Sequence, residues 1–173
     1  MKENTLDLFD FRGQGDEEAW RSIDDVVMGG VSGSEFHVAS QGIAVFAGAV
    51  SLQHGGGFAS VRARPARVDL SEYSGLEIRV RGDGKRYRLR LRTDPNLDGV
   101  AYQVSFEPQA TVWQSIRFPF HRFRPTFRGR TIPDAPPLDT SNVMSFGWMI
   151  ADKQAGPFRL EIDWLRAYAE QGS

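Results

Sequence analysis

The sequence predicts an all-β fold, an antiparallel two-sheet sandwich, from three observations. Apolar and polar residues alternate with period two in one run after another. No stretch sustains a helical period. Clusters of Gly, Pro, Asn and Asp separate the runs at the spacing of strand turns. In chain order the strands are expected at Leu6–Phe11, Gly42–Ala47, Phe58–Ala63, Glu77–Arg81, Tyr87–Arg92, Tyr102–Glu107, Val112–Phe118, Val143–Ile150 and Phe158–Asp163.

Four of these runs show the alternation most clearly. Ile78 and Val80 alternate with Glu77, Arg79 and Arg81; Tyr87, Leu89 and Leu91 alternate with Arg88, Arg90 and Arg92. Tyr102, Val104 and Phe106 alternate with Gln103, Ser105 and Glu107; Phe158, Leu160 and Ile162 alternate with Arg159, Glu161 and Asp163. Each reads as a strand with one face in a core and the other polar. The turn Gly82-Asp83-Gly84-Lys85 reads as a hairpin between two of them. Helix is expected only as single turns near Asp16–Trp20 and Asp139–Val143, and His121–Pro137, rich in Pro and Arg, reads as a long aperiodic loop.

Length and composition limit the class. The chain has 173 residues, enough for one domain with a sizeable core, expected over residues 6–168 with flexible termini at 1–5 and 169–173. It has no Cys, so neither disulfides nor thiolate metal sites can staple it. No apolar run approaches membrane-spanning length, and Met1–Phe11 carries Lys2, Glu3, Asp7 and Asp10 rather than a signal peptide; a cytoplasmic protein is expected. Net charge is −1, but Arg62–Arg130 carries +8 and the rest −9. That asymmetry marks either a binding surface or two parts that neutralise each other.

Catalytic constellations are not found. His37, His54 and His121 lack metal-ligand spacing, so no metal and no cofactor are expected. Gly30-Val31-Ser32-Gly33-Ser34 lacks the final Gly of a nucleophile elbow. Asp94-Pro95-Asn96-Leu97-Asp98-Gly99 begins like a calcium loop, but Ser105 stands where the bidentate Glu would be, and a plain turn is expected. Asp24 and Asp25 are adjacent and read as a cap or turn rather than an acid and base pair. A non-enzymatic protein is expected.

Several ordered blocks resemble one family. They are Trp20-Arg21-Ser22-Ile23-Asp24-Asp25-Val26-Val27-Met28-Gly29-Gly30-Val31-Ser32; Phe46-Ala47-Gly48 with Val50-Ser51-Leu52; Gly56-Gly57-Phe58-Ala59-Ser60-Val61-Arg62; Tyr73-Ser74-Gly75-Leu76; Gly82-Asp83-Gly84-Lys85-Arg86-Tyr87; and Gly156-Pro157-Phe158-Arg159-Leu160-Glu161-Ile162-Asp163. Together they resemble the complex I intermediate-associated protein family. The resemblance implies a jelly roll of the galactose-binding-domain-like type. It also implies a chaperone-like role in assembling NADH:ubiquinone oxidoreductase, with respiratory-complex subunits as partners and no catalytic residues. The mitochondrial members' N-terminal extension is not matched, so a stand-alone bacterial-type member is expected.

Three surfaces are candidates for a partner. The first gathers Asp24, Asp25, Met28, Gly29, Gly30, His54, Gly56 and Gly57 in the Gly-rich loops, and a protein partner is expected there. The second is a ladder of guanidinium groups on one face, Arg79, Arg81, Arg88, Arg90 and Arg92, with Gln103, Glu161 and Asp163 beside it. It suits an anionic or hydroxyl-rich ligand, a carbohydrate among them, unless the acids Glu77, Glu107, Glu161 and Asp163 neutralise it. The third is the run of Arg122, Phe123, Arg124, Phe127, Arg128 and Arg130, whose form suits single-stranded nucleic acid. The near-neutral chain disfavours that reading, and Phe123 and Phe127 are expected to pack the loop onto the sheet. Trp148 is expected in the core within the stripe Met144, Phe146, Trp148 and Ile150.

Overall fold

A computed structural model describes residues 4–12, 20–22, 33–39, 41–53, 57–63, 67–94, 99–127 and 130–170. These form thirteen strands in two antiparallel sheets, and the all-β sandwich expected from alternation is the fold observed. The strands are β1 (Asn4–Phe9), β2 (Trp20–Ser22), β3 (Gly33–Val38), β4 (Ala44–Val50), β5 (Ala59–Ala63), β6 (Gly75–Arg81) and β7 (Tyr87–Arg92). They continue as β8 (Ala101–Phe106), β9 (Trp113–Pro119), β10 (Arg124–Phe127), β11 (Arg130–Thr131), β12 (Ser145–Ile150) and β13 (Gly156–Ala169). One sheet has the order β3-β4-β13-β6-β9, with β1 also on β13. The other has the order β11-β10-β8-β7-β12-β5-β2.

The core lies between the sheets and is mainly aromatic and branched aliphatic. Leu76, Ile78 and Val80 of β6 face Leu89, Leu91, Phe146, Trp148 and Ile150 of the opposite sheet, all buried. Trp20 joins Phe36 at 4.8 Å, Phe9 at 5.0 Å and Trp148 at 6.4 Å between ring centroids. Such offset and tilted ring pairs add to the burial of their large areas. Phe58, one residue before β5, is half-buried.

Where the structure departs from the expected strands, local reasons are visible. The strand read as ending at Asp163 runs on to Ala169 as β13. Its register shifts between Ile162 and Trp164, so Phe158, Leu160 and Ile162 are in phase while Leu165 and Ala167 are one residue out. A β-bulge absorbs that residue, and a strict period-two reading stops there. Trp20, read as the end of a helical turn, opens strand β2. Arg124–Phe127 and Arg130–Thr131, read as loop, extend the seven-stranded sheet at its edge. They are too short to show a period. The turn expected at Asp139–Val143 is a single 3-10 turn over Thr140–Asn142, with the Asp139 carboxylate accepting from the Ser141 N–H at 3.1 Å.

The segment Gly82–Arg86 is not a hairpin. β6 and β7 lie in different sheets, so this segment crosses from one to the other. Asp83 pins the crossing. It accepts from the Tyr87 hydroxyl at 3.0 Å, the Lys85 N–H at 3.1 Å and the Arg159 N–H at 2.8 Å. Gly84 takes a positive φ of 88° within it, a conformation open to Gly at no steric penalty.

Candidate functional site

The crossing divides the expected arginine ladder between two opposite faces. Arg79 and Arg81 stand on the outer face of the six-stranded sheet; Arg88, Arg90 and Arg92 stand on the outer face of the seven-stranded sheet. Glu161 and Asp163 lie with the first pair and Gln103 with the second group. The single ladder is therefore corrected. Residues that looked equivalent by local alternation are separated by the full thickness of the sandwich.

On the six-stranded face the arginines are neutralised by carboxylates. Asp163 accepts from Arg12 at 2.6 Å and pairs with Arg79 at 3.3 Å. Glu161 binds Arg81 at 2.5 Å and Arg159 at 3.1 Å; Glu77, nearly buried, binds Arg117 at 3.0 Å and Arg166 at 2.6 Å. Burial would push the Glu161 carboxyl up, but the hydrogen bonds from Arg81 and Arg159 outweigh it and hold the group below its ordinary value. Aromatic faces take up further charge, with the Arg79 and Arg81 guanidinium carbons 5.6 and 5.1 Å from the Trp113 ring centroid. Arg79, Arg81, Glu161, Asp163 and Trp113 line a cavity of about 470 Å³, with Arg12, Arg159, Ile43 and Val45 completing much of its wall.

On the seven-stranded face the described arginines outnumber the described acids. Strand register aligns Arg21, Arg62, Gly147, Arg90, Gln103 and Arg124 in one row across β2, β5, β12, β7, β8 and β10. Arg88 and Arg92 flank Arg90 along β7 at alternate positions, about 7 Å apart per two residues of strand. Asp152 binds Arg88 at 2.5 Å at one end of this column. Arg21, Arg62 and Arg92 each make further contacts. Arg90 is different: the charges that reach it are those of Arg62 and Arg88, and no described carboxylate stands against it. Burial and those two like charges bring its guanidinium down to about 10.

The Nε atoms sharpen the contrast between the faces. On the six-stranded face Arg81, Arg117, Arg159 and Arg166 each donate Nε–H to a carboxylate. On β7 the Nε atoms of Arg88 and Arg90 are buried without a hydrogen-bond acceptor among the described residues. The outward residues of this face, among those described, include Ser60, Ser105, Ser145, Gly147 and Met149 and no aromatic ring. A sugar-stacking platform is thus not formed by the described part of this face. Among the described residues no group of three His, Asp or Glu could hold a metal.

The residues expected to contact a protein partner fall mostly elsewhere. Asp24, Asp25, Met28, Gly29, Gly30, His54 and Gly56, and the calcium-like turn at 95–98, lie outside the described residues. Gly57 is described and takes a φ of 141°, which a side chain would strain. Of the third surface, Phe123 is buried in the core as expected, whereas Phe127 is 39% exposed and Arg124 belongs to the arginine row. Sequence reasoning missed Arg21 and Arg62 as members of that row. The available signal was weak, since each stands alone between apolar or small residues. No described helix is long and apolar enough to cross a membrane.

Comparison with known proteins adds the following. A sequence model of the family described as Complex I intermediate-associated protein 30 (CIA30) matches residues 9–162. The mitochondrial Complex I intermediate-associated protein 30 of Drosophila melanogaster is 27% identical over 180 residues, covering 91% of this chain and 61% of its own length. The mouse mitochondrial protein of the same name is 31% identical over 111 residues, covering 62% of this chain and 34% of its own. The chain thus spans only part of these relatives. Among solved structures, the family 11 carbohydrate-binding module of a Clostridium thermocellum cellulosomal cellulase superposes with a TM-score of 0.75 at 18% identity, covering 100% of this chain and 99% of the module. The same type of module in complex with a mixed-linked tetrasaccharide gives 0.72 at 20% identity, over 99% of this chain and 98% of the module. At such identity the likeness shows the fold, a jelly roll, and not the ligand. The expectation of a cytoplasmic protein is corrected here, because the fly and mouse relatives and a Caenorhabditis elegans one are named as mitochondrial. The charged residues that interrupt the N-terminal stretch, which prompted it, exclude a secretory signal there and say nothing about an address read elsewhere in a protein.

Proposed function

Because the chain belongs to the Complex I intermediate-associated protein 30 family, we propose that it is a non-catalytic protein-binding domain that holds an intermediate of respiratory NADH:ubiquinone oxidoreductase during assembly. The observation that carries this reading is the extent of the family match. It runs from Phe9 in β1 to Ile162 in β13 and so takes in strands of both sheets. The relatives' names supply the kind of partner. The chemistry agrees with binding rather than turnover. Charged clusters are present on both outer faces, but the described carboxylates near them are tied into ion pairs with arginines and are poorly placed to move protons.

The partner contact is proposed on the loops carrying Asp24, Asp25, Met28, Gly29, Gly30, His54, Gly56 and Gly57, the first of which holds the longest block of the family resemblance. The experiment is a pull-down with the tagged chain from gently solubilised membranes of the cells that express it, quantified by mass spectrometry. Enrichment of NADH:ubiquinone oxidoreductase subunits, reduced by the Asp25→Ala and Met28→Ala variants, is the expected outcome. A bait that is folded and abundant yet enriches none of those subunits refutes the reading.

A further inference from the structure

The arginine face of the seven-stranded sheet is unlike the rest of this surface. The described arginines of the six-stranded face are matched to carboxylates, whereas among the described residues the charges that reach Arg90 are those of Arg62 and Arg88, and the Nε–H groups of Arg88 and Arg90 are buried without an acceptor. A buried donor left unmade destabilises the fold that carries it. The arrangement is explained if an acceptor arrives from outside. We propose that the β7 column of Arg88 and Arg90, with Arg62 and Gln103 beside it, seats an extended acidic segment of the protein partner, one with carboxylates at every second residue. The inference rests on the proposed function for the partner being a protein.

The geometry selects both the chemistry and the form of that segment. A guanidinium donates two parallel N–H bonds to the two oxygens of a carboxylate, and its Nε–H can be one of the prongs. Residues 88 and 90 point the same way from one strand, so their spacing is about 7 Å, the repeat of alternate side chains in an extended peptide. Between Arg90 and Arg62 the intervening β12 position is Gly147, which raises no side chain between the two cations. Arg88 already shares Asp152, so the incoming acid has its strongest demand at Arg90. The absence of aromatic rings among the described residues of this face disfavours both sugars and stacked bases as the occupant.

The test is fluorescence anisotropy with purified chain and a labelled peptide of alternating Glu and Ser. A second peptide has the same composition but all its Glu residues in one block. We expect the alternating peptide to bind more tightly than the blocked one, and its affinity to fall as salt is raised. Arg90→Gln should weaken it by about tenfold or more, whereas Arg79→Gln on the opposite sheet should change it by less than about twofold. Arg90→Lys should restore only part of the affinity, since an ammonium lacks the fork. Arg88→Gln gives an independent reading if Arg90→Gln does not fold. Equal binding by wild type and Arg90→Gln overturns the proposal, as does equal loss with Arg79→Gln. A sulfated glucan or a single-stranded oligonucleotide that binds tighter than the peptide in an Arg90-dependent way overturns the choice of a protein segment. The pull-down separates the two ideas. Wild type and Arg90→Gln that recover the same respiratory subunits sink the arginine seat and leave the assembly reading standing. Arg90-dependent peptide binding by a chain that recovers no such subunits does the reverse.

Discussion

Replacing Arg90 with Met should make the protein more stable, which is the opposite of what most substitutions near a core do. Arg90 carries a guanidinium whose Nε is buried and which burial and the charges of Arg62 and Arg88 bring well below the ordinary arginine value, down to about 10. At 1.36 kcal/mol per unit, a shift of that size corresponds to about 3 kcal/mol of disfavoured charge. Part of the side chain keeps contact with water, so the recoverable part is about 1–3 kcal/mol. Met keeps an apolar stem of similar length along the sheet and removes both the charge and the orphan donor. For a domain of this size that corresponds to a rise in Tm of roughly 2–12 °C. Differential scanning calorimetry at neutral pH in low salt measures it, and added salt should shrink the gain by screening the neighbouring arginines. The pH dependence has a definite sign. Below pH about 10 both folded and unfolded chains hold the proton and the penalty is present in full. From there up to the unfolded value the folded state loses its proton first, so this group's contribution to stability rises with pH. A fall in Tm on Arg90→Met, by an amount similar to the rise expected, would refute the argument and show that the guanidinium is held by a partner that stabilises the fold.

Further expectations concern other parts of the molecule. Trp20→Ala should destabilise by about 3–5 kcal/mol in urea unfolding, because Trp20 stacks on Phe36, Phe9 and Trp148 inside the core; a loss below about 1 kcal/mol would remove it from that core. Phe58→Ala should lose only about 1–2 kcal/mol, since the side chain is half-buried. Tyr87 is buried against the Asp83 carboxylate, and burial followed by that negative charge pushes its hydroxyl well above the ordinary phenol value. Ultraviolet titration of the folded protein should therefore leave Tyr87 un-ionised past pH 10. Its contribution to stability is complete below the unfolded value near 10 and is lost at higher pH, opposing the trend from Arg90. Asp152→Asn removes the carboxylate that binds Arg88 while keeping a residue type that tolerates the positive φ of 65° at that position. It should tighten binding of the alternating acidic peptide severalfold; unchanged affinity would show that Arg88 takes no part.

Much of this protein was legible from the sequence, for a physical reason that is local. Side chains on a strand alternate in direction with period two, so the pairing of Leu89 and Leu91 with Arg88 and Arg90 states which groups go inward before any partner strand is known. The same reasoning found the core stripe of Phe146, Trp148 and Ile150, all of which are buried. It also bounded β7 at Tyr87–Arg92. It stopped at Asp163 because a bulge changes the phase of β13 there, a correction that depends on the register against β6. The family resemblance came from ordered blocks along the chain. What alternation cannot state is which sheet a strand joins. That is settled by long-range pairing, and β6 pairs with β9 and β13 while β7 pairs with β8 and β12. Two arginine-bearing strands of nearly identical pattern therefore meet different neighbours. Arg79 and Arg81 find Asp163, Glu161 and Trp113, whereas Arg90 finds Gly147, Gln103 and other arginines. An all-β chain with arginines on polar faces follows from local alternation alone. Which of those charges meet a carboxylate follows from the tertiary structure, because it depends on residues distant in the chain being brought within hydrogen-bonding reach.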